Sequence, residues 1–116
     1  MDKNYVDITR NISANLKKLR NDIPDTMKGF AMLAQAATRE GALDKKTKEL
    51  IALAIAVSTR CDACIGYHAR GCVRTGATRQ QVAEAVGVAI QMGGGPSVNY
   101  AADALRAYDQ FAPPAA

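Results

Sequence analysis

The chain has 116 residues, 48 % of them hydrophobic but only 5 % aromatic, with no tryptophan. That is enough for one domain, residues 1–116, with a core of Ala, Leu, Ile, Val and Met, and it favours closely packed helices. Fifteen basic against eleven acidic residues leave a mild charge of +4 spread along the chain. Without interleaved aromatics or a reader motif, this excess gives no ground for a nucleic-acid partner. The opening MDKNYVDITR lacks a basic segment followed by an apolar run, so no secretory signal is expected. No stretch reaches the ~18 apolar residues of a membrane helix. Three cysteines, two of them in C-x-x-C, are unlike a secreted disulfide framework, and a cytoplasmic location is expected.

Tyr5, Ile8, Ile12, Leu16, Leu19 and Ile23 recur at helical spacing and predict an N-terminal amphipathic helix within residues 1–23, closed by Pro24. A second helix is predicted from about Asp25 to Glu40, with Met27, Phe30, Leu33, Ala34 and Ala37 inward and Gly41 as its stop. Asp44 caps a third, whose Leu50–Val57 run is apolar on all sides, as in an element buried between others. A buried strand would also read as such a run, but Ala52, Ala54, Ala56 and the helix-forming flanks favour helix.

The stretch RCDACIGYHARGC, residues 60–72, reads as a fourth helix closed by Gly76. Thr78 and Gln81 stand at capping-box spacing before a fifth helix with the stripe Val82, Val86, Ala89 and Ile90. Gly93, Gly94, Gly95 and Pro96 break it, and a sixth runs from Pro96 and Ser97 through Ala101, Leu105 and Tyr108 to about Phe111. Residues 112–116 are expected to be a frayed tail. The predicted fold class is all-α: a compact bundle of about six helices with a buried helical hairpin carrying the C-x-x-C.

Within residues 60–72 lie all three cysteines and the chain's single histidine. Three chemistries compete for them. Cysteine is a small, readily buried side chain, and simple packing is the reading adopted for Cys72. A metal module is the second reading, since Cys61, Cys64, His68 and Cys72 are all zinc-ligand types. One continuous helix of that length rises roughly 16 Å and cannot converge four ligands within bonding distance, which leaves a smaller set of Cys61, Cys64 and His68 with a carboxylate such as Glu49. The third reading is a redox dithiol. Cys61 and Cys64, three residues apart at a helix start beside Arg60, can close a disulfide, and the helix N-terminus favours thiolate there. His68 follows Cys64 by one turn, where it could exchange the thiol proton.

If the third and fourth helices form a hairpin turning near Arg60, Glu49 comes opposite a position close to His68. It would then orient the imidazole, although an acid in a helix's first turn can equally serve the helix dipole alone. The helix start favours Cys61 as the thiolate, and the spacing to His68 favours Cys64.

The pattern Glu49-x11-Cys61-x-x-Cys64-x-x-x-His68 resembles the alkylhydroperoxidase D-like branch of the carboxymuconolactone decarboxylase family. The flanking KKTKELIALAIAVSTRC, the TGAT turn and QQVAEAVGVAIQMGGGPSVNYA agree, and the resemblance spans about residues 25–111. It implies a short, single-domain helical protein that assembles into trimers or hexamers and acts as a thiol-dependent peroxidase in antioxidant defence, with no bound cofactor. It implies that Cys64 attacks the hydroperoxide, that Cys61 resolves the sulfenic acid as a disulfide, and that Glu49 and His68 relay protons. A dithiol, in the best-known member a lipoyl-bearing protein, would then reduce the disulfide. That member has a further histidine where this chain has Ala63, which bears on the strength of the peroxidase activity. The family's lactone decarboxylases lack the C-x-x-C.

Overall fold

The structure is a computed structural model that describes residues 2–114. Its elements are α1 (Tyr5–Asp22), α2 (Pro24–Thr38), α3 (Lys45–Thr59), α4 (Asp62–Arg74), α5 (Arg79–Gly93) and α6 (Gly95–Phe111), with no strand among the described residues. The local signals act as expected. Asp44 Oδ1 accepts the Thr47 N–H at 2.7 Å and starts α3. Thr78 and Gln81 form a reciprocal capping box at the start of α5, and Pro96 occupies the first turn of α6, where its missing N–H costs nothing.

α4 lies against α3, α6 and α1. The core that joins them comprises Tyr5 of α1, Leu53 and Val57 of α3, Ile65, Ala69 and Cys72 of α4, Val82 and Val86 of α5, and Ala101, Ala104 and Ala107 of α6. Alanine on the inner face of α6 lets its neighbours approach closely, and burial of each larger aliphatic side chain contributes about 1.5–3 kcal/mol. Cys72 is wholly buried, as its assignment to packing required.

Three expectations need correction. The second helix stops at Thr38 with Arg39 as its cap, before reaching Gly41. Its supposed inner face is open: α2 has no buried residue, and Phe30 and Leu33 are 58 % and 66 % exposed. The helix touches α1 and α3, and at its end Lys48 Nζ donates to the Ala37 and Arg39 carbonyls at 3.0 and 2.5 Å. The Leu50–Val57 run is likewise covered on only part of its circumference, because Ile51 and Ile55 face outward. Apolar periodicity reports a face that favours cover, and a single chain does not supply that cover here.

Of the expected frayed tail, residues 112–114 follow α6 without regular structure, and residues 115 and 116 lie outside the described residues. Among the described residues, no helix is long and apolar enough to cross a membrane.

Candidate active site

The site is built on the turn between α3 and α4. Arg60 takes a left-handed conformation, φ 56° and ψ 45°, as the C-cap of α3, and its N–H donates back to the Val57 carbonyl at 3.2 Å. Cys61 then follows in extended geometry as the N-cap of α4. Its Sγ accepts the Cys64 backbone N–H at 3.2 Å, the bond that a Ser or Asp oxygen makes at most helix starts. A sulfur held there faces the free N–H groups and positive end of α4, surroundings that favour a thiolate.

Cys61 and Cys64 are joined as a disulfide across a Cα–Cα separation of 5.2 Å. One turn further on, His68 Nδ1 lies 2.9 Å from Glu49 Oε2. An ionised carboxylate can only accept, so it fixes the neutral imidazole with its proton on Nδ1 and leaves Nε2 as the basic nitrogen. The hairpin therefore brings Glu49 to His68 as its register implies. Both side chains are partly accessible, 33 % for His68 and 21 % for Glu49.

Cys64 and His68 share a cavity of about 230 Å³ with Ala52, Ile55, Ala56 and Thr59 of α3. The Cys64 sulfur and an imidazole thus open onto one mostly apolar recess, an arrangement in which a reduced Cys64 could exchange a proton with His68. Cys72 stands apart. Burial, with the Glu49 charge adding to it, pushes its thiol up to about 12, so it stays protonated and unreactive at neutral pH.

Reading the sequence did not single out Gly71. A Cβ there would come within 2.5 Å of the Glu49 carboxyl carbon, so the absence of a side chain lets the carboxylate lie against α4 one turn beyond His68. The available signal was a glycine inside a helical segment, three residues after the histidine. The cavity wall of Ala52 and Ile55 was also missed, because the run containing them read as buried on every side. The metal-ligand reading gains nothing from the geometry: among the described residues, no group of three or more His, Cys, Asp or Glu side chains is placed to hold an ion.

Known proteins agree with this architecture. The model of the carboxymuconolactone decarboxylase family matches residues 24–107. A crystal structure of a carboxymuconolactone decarboxylase family protein from Legionella pneumophila superposes with a TM-score of 0.92 at 51 % identity, covering 94 % of this chain and 97 % of that one. A Thermotoga maritima family protein, for which a role in antioxidative response is suggested, superposes with a TM-score of 0.76 at 33 % identity over 93 % of this chain and 89 % of its own. An uncharacterized protein of Cupriavidus necator is 44 % identical over 86 residues, 74 % of this chain and 76 % of that relative.

Proposed function

Because this chain belongs to the carboxymuconolactone decarboxylase family, and because Cys64 of its C-x-x-C pair opens onto the recess that also holds a carboxylate-bound histidine, we propose that it is a thiol-dependent peroxidase. That shared recess is the observation that carries the reading. His68 Nε2 takes the Cys64 proton, and the Cys64 thiolate attacks the terminal oxygen of a hydroperoxide, ROOH. The O–O bond breaks, sulfur is oxidised to sulfenic acid, and the departing RO⁻ receives the proton back from the imidazolium to leave as ROH. Cys61 then attacks the sulfenic sulfur, forming the disulfide and releasing water. A dithiol donor reduces the pair in two exchange steps and becomes a disulfide itself; a lipoyl-bearing protein has the required chemistry. All the electrons pass through sulfur, so the cycle uses no bound cofactor. The apolar lining from Ala52, Ile55 and Ala56 favours organic hydroperoxides over hydrogen peroxide, and antioxidant defence in the cytoplasm is the role this activity would serve.

The same reading includes a homo-oligomer, trimer or hexamer. Phe30, Met32, Leu33, Leu43, Ile51, Ile55, Val88 and Met92 are all exposed. Large apolar side chains exposed in such number are the kind of surface that a stable interface between subunits buries. The trough between α3 and α5 shares Ile55 with the cysteine recess, so assembly would also wall the site.

The experiment is dithiol-supported turnover of tert-butyl hydroperoxide. Cys61→Ser and Cys64→Ser should each abolish it, with a fall of at least about a hundredfold for loss of a covalent nucleophile or its resolving partner. Unchanged turnover in both variants would end the proposal.

A further inference from the structure

Asp62 sits between the two cysteines, as the first residue of α4 directly after Cys61. An acid there suits the helix dipole but opposes a thiolate on its neighbour, because two negative charges would share one helix start. One unit charge about 7 Å away changes a thiolate population roughly threefold where water screens it fully, and by more where the protein displaces water. The fold meets this conflict with the N-terminal segment. Asp62 Oδ1 accepts the Tyr5 hydroxyl at 2.9 Å and the Lys3 ammonium at 3.0 Å.

Several contacts fix that clasp. Lys3 Nζ also donates to Asp103 Oδ2 at 2.9 Å and lies 4.9 Å from the centre of the Tyr100 ring. Gln110 Nε2 donates to the Lys3 carbonyl at 3.0 Å, and the Tyr5 N–H donates to Gln110 Oε1 at 2.7 Å. Tyr5 is wholly buried, and burial, with the Asp62 hydrogen bond next, raises its phenol far above the ordinary value, so it remains a donor. For Lys3, burial works to lower the ammonium, but its hydrogen bonds to Asp103 and Asp62 outweigh that and leave it raised. The other charges around the clasp are Asp2 and Arg106, 3.5 Å apart, and Arg60 at the turn.

The placement of Asp62 also matters. At 100° per residue, Asp62 and Gly66 share a side of α4, and a Cβ on Gly66 would meet Thr9 Cγ2 at 2.5 Å, so that side lies on α1. Cys64 and His68 are roughly 200° and 240° round from Asp62, on the side that meets α3. We propose that Lys3 and Tyr5 are positioning residues for the dithiol: they anchor the Asp62 carboxylate on the α1 side and offset its charge, which keeps Cys61 available as a thiolate in the reduced protein. This rests on Cys61 and Cys64 forming a working dithiol, whatever oxidises it.

The test is the alkylation rate of Cys61 in the reduced full-length protein at pH 7, with the neutral reagent iodoacetamide and mass mapping of each cysteine. Lys3→Met, which keeps the apolar stem, should slow Cys61 three- to tenfold. Asp62→Asn should speed it, and the double variant should match or exceed the wild type. A Lys3→Met rate within 1.5-fold of wild type, with only a lowered melting temperature, would overturn the proposal and leave the clasp a fold anchor. Should Lys3→Met fail to fold, Asp62→Asn decides, and an unchanged Cys61 rate there overturns it equally. Because alkylation needs no peroxide, a protein inert to tert-butyl hydroperoxide can still pass this test, and an active peroxidase can fail it.

Discussion

α4 and α2 are helices of similar length with opposite fates. α4 is used on every side: Asp62 and Gly66 meet α1, Ile65, Ala69 and Cys72 enter the core, and Cys64 and His68 open onto the recess beside α3. α2 buries nothing and projects an apolar stripe into solvent. The pattern of an amphipathic helix states that one face favours cover. Whether the cover is the chain's own core or another molecule is decided by the rest of the fold, and the proposed function divides the two helices into chemistry and assembly.

If that division is correct, substitutions on α4 and its contacts should move reactivity, and those on α2 should move association. After loss of either cysteine, the largest effect is expected from Glu49→Gln, which keeps the shape but removes the charge that fixes the His68 tautomer. Turnover should fall about ten- to a hundredfold, less than the ~10²–10⁴ that acid–base help supplies in full because the imidazole itself remains, with unaltered circular dichroism. Next, Phe30→Asp with Leu33→Asp should lower the molar mass seen by light scattering to that of one chain, while alkylation of the reduced cysteines stays within about twofold. Loss of thiol reactivity in that variant would break the division and make α2 part of the site.

Gly71→Ala is expected to be milder and more telling. Alanine gains about 1 kcal/mol of helix propensity over glycine, yet its methyl group displaces the Glu49 carboxylate. Stability should hold or rise while turnover drops several-fold, and the ¹⁵N shifts of His68 should report a mixed tautomer. An unchanged tautomer would show that Glu49 relocates without consequence.

The smallest effect concerns Cys72. Its thiol lies near 12 in the fold against an ordinary value of 9.0, so the folded state keeps its proton after the unfolded chain has lost it. Its contribution to stability is therefore intact below about pH 9 and declines as the pH rises toward 12, by at most about 1.4 kcal/mol per pH unit. Cys72→Ala, followed by urea unfolding from pH 8 to 10, should flatten that alkaline decline by about 1 kcal/mol.

What could be read from the sequence was whatever depends on neighbours along the chain. The caps at Asp44 and Thr78, the break at Gly93–Pro96 and the one-turn spacing of Cys64 and His68 are local, and each stands where the residues indicate. Glu49 was reachable because a hairpin converts equal distances from its turn into proximity. Contacts with no fixed offset were not legible. The approach of Gly71 to Glu49, the clasp of Lys3 on Asp62 and the exposure of Ile55 depend on how helices distant in sequence cross, and periodicity carries no information about crossing.

Arg60 is the sole non-glycine residue with positive φ among the described residues, and between Thr59 and Asp62 the chain has only it and Cys61 to reverse direction. Such a turn has no slack. An extra residue would have to be absorbed by α3 or α4, turning that helix by about 100° and sliding it by about 1.5 Å, which would carry His68 away from Glu49. Substitutions along the hairpin can be graded in their effects, but a change of length there would be all-or-none, so the eleven residues between Glu49 and Cys61 act as a ruler that tolerates rewriting but not recalibration.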